Sequence, residues 1–243
     1  MTTEIAGVPI TFDLAQPHER RYAACAALDV KYPQRDIDAA LYDHVLRPGD
    51  RVLDMGANIG LTALEALQRG AAHVTCLEPV PELSRRIPVD PRIEVIGAAV
   101  SDRVGWAQLS LSDLHNQGAT LAQDVTELFP DLFTANRSTR VPTVPIDRLD
   151  GPYDVWKMDV EGAEVAALRG AVETLSKRPP RAVIAEVYDQ HLSDVRDRLE
   201  PSHPLVRRAG LRLDTYALDL RPPETFDSHR YHPTSPMYLF ERG

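Results

Sequence analysis

The chain has 243 residues, 43% of them hydrophobic and 26% charged, which suits one large folded core and excludes a chain that is mostly disordered. Its net charge of −9 argues against a nucleic-acid backbone or an anionic membrane as partner and leaves a small molecule as the expected one. No apolar run approaches a membrane span, the two cysteines, Cys25 and Cys76, are too few for a disulfide framework, and Met1 to Ile5 lacks the basic start of a secretory leader, so a cytoplasmic protein with free thiols is expected.

In residues 1–16, Ile10, Phe12 and Leu14 alternate with Thr11 and Asp13, as in an edge strand or an ordered arm. A helical pattern runs from Pro17 to about Leu28. Ile37, Leu41 and Val45 mark one face of a second helix, which Pro48-Gly49 stops. Residues 1–47 are thus read as an arm and helices packing on a core formed by 48–243, a single domain overall.

The run Arg51-Val-Leu-Asp-Met-Gly-Ala-Asn-Ile-Gly60 begins as a buried strand and bends at Gly56. Leu61, Leu64 and Leu67 then recur at a helical interval up to Gly70, a C-terminal cap. Val74, Cys76 and Leu77 form a second strand ending at Glu78-Pro79. Ligands bind outside the carboxyl ends of such strands, and an acid ending the second one is placed to accept hydrogen bonds from both ribose hydroxyls. The spacing from the loop to Glu78 is the one that job needs, so the loop is read as a nucleoside site. A dinucleotide fingerprint has glycine where this loop has Asn58. Asp54, two residues before Gly56, would repel a pyrophosphate but attract an ammonium and a sulfonium. The chemistry therefore favours S-adenosylmethionine over NAD. A βαβ unit with no ligand is the plain alternative.

Asp54-Met-Gly-Ala-Asn-Ile-Gly60 with Glu78-Pro79 resembles the first and second motifs of the class I S-adenosylmethionine-dependent methyltransferases. Trp156-Lys-Met-Asp-Val-Glu-Gly-Ala-Glu164 with Leu168-Arg-Gly-Ala171 is similar to the hallmark of their FkbM-type branch. The likeness spans roughly Pro48 to Val187. It implies an α/β fold: a doubly wound, mostly parallel, Rossmann-like sheet of seven strands, helices on both faces, and an antiparallel last strand. It also implies S-adenosylmethionine as cofactor, with S-adenosylhomocysteine as product, held by Asp54, Gly56, Ala57, Asn58, Gly60, Glu78, Pro79 and Asp159. In Gly97-Ala-Ala-Val-Ser-Asp102 it places Asp102, or less strongly Ser101, beside the adenine amino group; a solvated turn carboxylate is the bland reading. The two N-terminal helices would cover one side of the sheet, by plain packing or by helping to form an acceptor pocket.

Pro81 to Ile87 reads as a short helix and Arg92 to Ile96 as the third strand. In the irregular segment 103–150, Trp106, Leu109 and Leu111 suggest a strand. Arg140 to Leu149 suggests another, confined to an edge by Pro142 and Pro145. Between them, Leu114 to Leu121 is similar to a polar stretch near the acceptor side in FkbM-type sequences, and His115 is a candidate general base there unless it is an exposed loop histidine. Asp154 to Asp159 is the fourth strand, which places Asp159 and Glu161 facing the methyl donor. A helix follows from Gly162 to about Ser176 with Val165, Leu168, Val172 and Leu175 on one face and a potential break at Gly170. The fifth strand, Ala182 to Val187, carries Glu186, costly unless paired or used.

Asp159, Glu161 and Glu186 gather at one rim, and three readings compete. They orient an acceptor hydroxyl and take its proton, they hold a divalent metal, or they are structural carboxylates. No Asp-Asn pair follows Glu186 as in catechol-type methyltransferases, so the metal-free reading is favoured. Farther on, Leu192 to Ala209 is helical in pieces cut by Pro201 and Pro204, and Leu211 to Leu218 alternates as a strand. Pro222 to Pro236 is a long loop able to close over the pocket, with His229 and His232 as solvated loop histidines. Met237 to Arg242 is the last strand.

The expected activity is O-methylation of a hydroxyl on a small, secondary metabolite, with Asp159, Glu161, Glu186 and His115 as catalytic candidates. N- or carboxyl methylation on the same scaffold, a nicotinamide-dependent oxidoreductase and a non-catalytic nucleoside-binding module are the alternatives. Neither acceptor nor oligomeric state is legible.

Overall fold

The apolar runs become the strands of one eight-stranded sheet, with helices on both faces. The computed structural model describes residues 1–112, 118–135 and 137–243. In chain order, a hairpin of β1 (Thr2–Ile5) and β2 (Val8–Thr11) leads into α1 (Pro17–Leu28) and α2 (Pro33–Val45). Then come β3 (Arg51–Met55), α3 (Leu61–Gln68), β4 (His73–Leu77), α4 (Pro81–Ser84) and β5 (Ile93–Ile96). The middle of the chain contributes β6 (Ala99–Val100), β7 (Gly105–Leu111), β8 (Ala119–Thr120), α5 (Gln123–Leu128) and β9 (Ser138–Val144). Next are β10 (Val155–Met158), α6 (Glu164–Arg169), α7 (Val172–Lys177), β11 (Ala182–Glu186) and α8 (Leu192–Leu199). The chain ends with β12 (Leu205–Leu211), β13 (Leu218–Arg221) and β14 (Met237–Glu241).

The main sheet runs β13-β12-β14-β11-β10-β3-β4-β5. Its half from β11 to β5 is wholly parallel, as helical crossovers require, whereas β14 is antiparallel to both β11 and β12. Successive side chains of each strand face opposite ways, and two cores result. Val52, Val74, Val155 and Ile184 pack with Ile37, Leu41 and Tyr42 of α2 and Leu64 of α3. Leu53, Met55, Trp156, Met158 and Val183 pack on the other face with Leu168, Leu175 and Val195. No helix among the described residues is long and apolar enough to cross a membrane.

Residues 205–209, expected to be helical, belong to strand β12, and the structure departs from the sequence reading in four further places. The main sheet has eight strands rather than seven, because β13 returns against β12. The strand expected at Leu211–Leu218 is mostly the turn between them: Tyr216 has φ of 58° and Arg212 forks onto Asp214 at 2.8 and 2.6 Å, so the alternating pattern there serves a turn. The segment expected at an edge lies inside a separate four-stranded sheet, β6-β9-β7-β8. Pro142 is tolerated because it pairs only with Trp106, β6 being too short to reach it. Finally, the helix after β10 breaks into α6 and α7 at Gly170, which turns Val172 out to solvent at 65% exposure.

Candidate active site

β3 and β10 are adjacent and in register, Asp54 beside Lys157 and Met55 beside Met158, at the point where the chain reverses its direction across the sheet. α3 leaves one face and α6 the other, so a crevice must open beyond the strand ends. It is a cavity of about 660 Å³. Its walls are the loop Gly56-Ala57-Asn58, Glu78-Pro79, Ala98 to Val100, Asp159 to Glu161, Glu186 and Tyr188, roofed by residues of α1, α2 and 129–133 and by the loop 233–235.

At one end the loop closes on Glu78. The Asn58 N–H donates to Glu78 Oε2 at 2.9 Å and the Val80 N–H to Oε1 at 2.8 Å. Each carboxylate oxygen thus keeps a lone pair for a ligand hydroxyl. Asn58 sits at φ 51°, and Gly56, at φ 85°, has no room for a side chain because a Cβ would overlap the Asp159 carbonyl oxygen. Burial pushes the Glu78 carboxyl up to about 7, against the pull of its two backbone hydrogen bonds.

The other end is crowded with acids around one ammonium. Lys157 is 2% exposed; its Nζ donates to Asp159 Oδ2 at 3.0 Å and lies 3.8 Å from Asp38 Oδ1. Burial would lower the Lys157 pKa, but Asp159, Asp38, Asp54 and Glu186 together outweigh it and hold the ammonium above its ordinary range. Asp38, opposed by Lys157, is raised by burial to about 7. Glu161 stands at φ 51° and accepts the Tyr188 hydroxyl hydrogen, while Thr120 donates to its carbonyl. Burial, then the neighbouring Asp159 charge, raises both Glu161 and Glu186. Glu186 lies 3.5 Å from Gln34 Nε2, and Gln34 in turn accepts the Ser235 N–H, which ties the C-terminal loop to α2.

The cavity thus brings together Gly56, Ala57, Asn58, Glu78, Pro79, Asp159, Glu161 and Glu186. Four other residues expected at the cofactor do not line the cavity. Asp54 is fully buried behind the wall, where strand alternation turns it under α2 and its Oδ2 accepts the Thr62 hydroxyl at 2.6 Å. Gly60 turns the chain into α3 at φ 81° without lining the cavity. Ser101 and Asp102 do not line it either, because the Ser101 N–H continues the β6–β9 ladder onto Val144 and Asp102 faces Arg103 at 3.5 Å; Ala98 to Val100 stand there instead. His115 lies outside the described residues. Among the described residues, no three His, Cys, Asp or Glu side chains are disposed to hold a metal ion.

Sequence reasoning passed over Asp38, Lys157 and Tyr188. The signal for Lys157 was a lone charge inside the apolar strand Val155-Trp-Lys-Met. Asp38 carried none, since one acid beside the apolar stripe of α2 reads as a solvated helix face.

The family model for the Methyltransferase FkbM domain matches residues 54–214. The AMB antimetabolite synthetase AmbE of Pseudomonas aeruginosa is 26% identical over 209 residues, covering 70% of this chain and 10% of that protein. The 2-O-methyltransferase NoeI of Sinorhizobium fredii is 29% identical over 172 residues, covering 60% of this chain and 66% of that protein. The crystal structure of Methyltransferase FkbM from Methylobacillus flagellatus matches with a TM-score of 0.54 at 17% identity, covering 87% of this chain and 48% of that one; the likeness is one of fold. The chain therefore spans a small fraction of the first relative's length, just under two thirds of the second's and about half of the third's.

Proposed function

The chain belongs to the FkbM methyltransferase domain family, and on that premise we propose that it is an S-adenosylmethionine-dependent O-methyltransferase acting on a hydroxyl of a small metabolite. The observation that carries the reading is the buried Glu78 carboxylate, hydrogen-bonded to the Asn58 and Val80 amides at the carboxyl end of β4 with lone pairs to spare. That donor set fits a nucleoside sugar, and the missing Cβ of Gly56 lets the loop close onto the Asp159 carbonyl at the end of β10, beside the cavity. Gly56 to Asn58, Glu78, Pro79 and Ala98 to Val100 would hold the cofactor. Ser101 and Asp102 have no part in this proposal. Bound there, S-adenosylmethionine supplies a methyl group already activated by its sulfonium.

The residues of the chain then have three tasks. Asp159, Glu161 and Glu186 face the acceptor end and are the candidates to orient a hydroxyl and receive its proton; Glu161, raised to about 7, suits a base acting near neutrality, and burial raises Glu186 as well. Tyr188 and Thr120 hold Glu161 in its left-handed conformation. Tyr22, Tyr32 and Phe133 line the cavity with rings and help to keep bulk water from it. The acidic wall favours a neutral hydroxyl acceptor over a carboxylate, which like charges would repel. Similarity to an antimetabolite synthetase, AmbE, and to a 2-O-methyltransferase, NoeI, supports a hydroxyl on a secondary metabolite as the acceptor.

Calorimetric titration with S-adenosylmethionine, S-adenosylhomocysteine and NAD tests the assignment. Binding of the two sulfur nucleosides but not NAD, weakened at least about tenfold in Glu78→Ala, is the expected result. NAD binding, or no binding at all, overturns it.

A further inference from the structure

Lys31, Lys157 and Lys177 are the lysines of the chain, and Lys157 alone of them is buried. An ammonium removed from water is costly unless anions surround it. Here they do: Asp159 from the end of its own strand at 3.0 Å, Asp38 from α2 at 3.8 Å, Asp54 in register on β3, and Glu186 at the end of β11. Period-two alternation puts Lys157 and Asp159 on the same face of the sheet, so the side chain reaches along the strand toward the cavity that it helps to line. Among the described residues Asp38 Oδ1 is buried with no hydrogen-bond partner, and the Lys157 ammonium, 3.8 Å away, is the cation that offsets its charge.

We propose that Lys157 is a tethered cation that takes the place of a divalent metal ion at the acceptor end of the cavity, and that it positions the Asp38 and Asp159 carboxylates there. The argument is one of exclusion by charge. A divalent ion shared by Asp159 and Asp38 would have to settle within a few ångströms of a fixed ammonium in a poorly hydrated site, where like charges repel strongly. The ammonium also cannot leave, being covalently attached. The role as a positioning residue rests on the methyl-transfer reading above; the exclusion of metal does not.

The test uses Mn²⁺, followed by paramagnetic resonance, as the probe ion, with S-adenosylhomocysteine titrated by calorimetry. Wild-type protein is expected to leave the free Mn²⁺ signal undiminished and to bind S-adenosylhomocysteine equally with and without a chelator. Lys157→Met keeps the length of the side chain and removes the charge. It is expected to bind Mn²⁺, to lose that binding when Asp159→Asn is added, and to hold S-adenosylhomocysteine within about threefold of wild type. Mn²⁺ uptake by the wild-type cavity, or a folded Lys157→Met protein that takes up none, overturns the proposal. Should that variant fail to fold, lysine ¹³Cε resonances of wild type decide. The Lys157 ¹³Cε resonance should keep its protonated position at alkaline pH where an ordinary lysine has lost its proton, and a Lys157 that deprotonates like an ordinary lysine overturns the proposal. Failure of wild type to bind S-adenosylhomocysteine, with Mn²⁺ behaving as stated, overturns the methyl-transfer reading and leaves the tethered cation standing.

Discussion

Gly56 and the carbonyl oxygen of Asp159 approach so closely that no side chain fits between them, which locks the loop after β3 onto the end of β10. Both halves of the candidate site therefore depend on one contact. Gly56→Ala forces a Cβ into that space and onto a residue at φ 85°, where the conformation alone costs about 1–2 kcal/mol. The expected outcome is a destabilisation above about 2 kcal/mol by urea titration, together with loss of S-adenosylhomocysteine binding by more than about tenfold.

Cofactor affinity should rise with pH through neutrality. Glu78 has its folded-state pKa raised from 4.5 to about 7, so the folded protein holds this proton more tightly than the unfolded chain. Between those two values the stability of the unliganded protein falls as pH rises, because the unfolded chain has released the proton and the folded one has not. Asp38, raised from 3.8 to about 7, acts in the same direction. A hydroxyl donor prefers the ionised Glu78, so affinity for S-adenosylhomocysteine should increase up to about tenfold from pH 6 to pH 8. In Glu78→Gln this slope should flatten, and an unchanged slope by calorimetry would assign it elsewhere.

Arg86 and Glu19 hold the N-terminal helices to the core. Arg86 donates from Nη1 at 2.9 Å and Nη2 at 2.5 Å to the carboxylate of Glu19, which is only 2% exposed. Arg86→Met strips that buried acid of its guanidinium. Breaking a buried pair costs about 3–5 kcal/mol, and the partial exposure of Arg86 puts the expected loss near the lower end. Denaturant unfolding measures it, and a loss below about 1 kcal/mol would show the pair to be dispensable.

Tyr188→Phe removes the hydroxyl that donates to Glu161 Oε2. That hydrogen bond lowers the Glu161 pKa against burial, so its loss should raise the pKa further. If Glu161 takes part in proton removal, the acidic limb of the pH–rate profile moves to higher pH by about one unit while S-adenosylhomocysteine affinity stays within about threefold. A profile that does not move, in a variant that still binds the nucleoside, would remove Glu161 from the list of bases.

The helices α1, α2 and α3 and the strands of the parallel half were readable because their signals are local. Leu61, Leu64 and Leu67 lie on one turn-spaced face, and Val52-Leu53 and Ala182 to Ala185 are continuous apolar runs. Where pattern and partner disagree, the partner decides. Leu211 to Leu218 alternates but turns, whereas β12 is held at Leu205–Leu211, arginines included, because β14 lies beside it in register. Asp54 carries the right chemistry for an ammonium at the right distance before Gly56. Yet the parity of the strand, together with the packing of α2, sends it behind the wall.

By itself the sequence determined the loop from Gly56 to Gly60, the acid that closes it at Glu78, and the carboxylates at the ends of β10 and β11, since these follow from strand length and turn chemistry within a few dozen residues. Only the tertiary structure decided that Asp38 of α2 meets Lys157 of β10, and that Tyr188 meets Glu161. The first pair is separated by over a hundred residues and the second sits on different strands' ends. Their meeting depends on which face of the sheet each helix covers and in what order the strands lie, which no local spacing encodes.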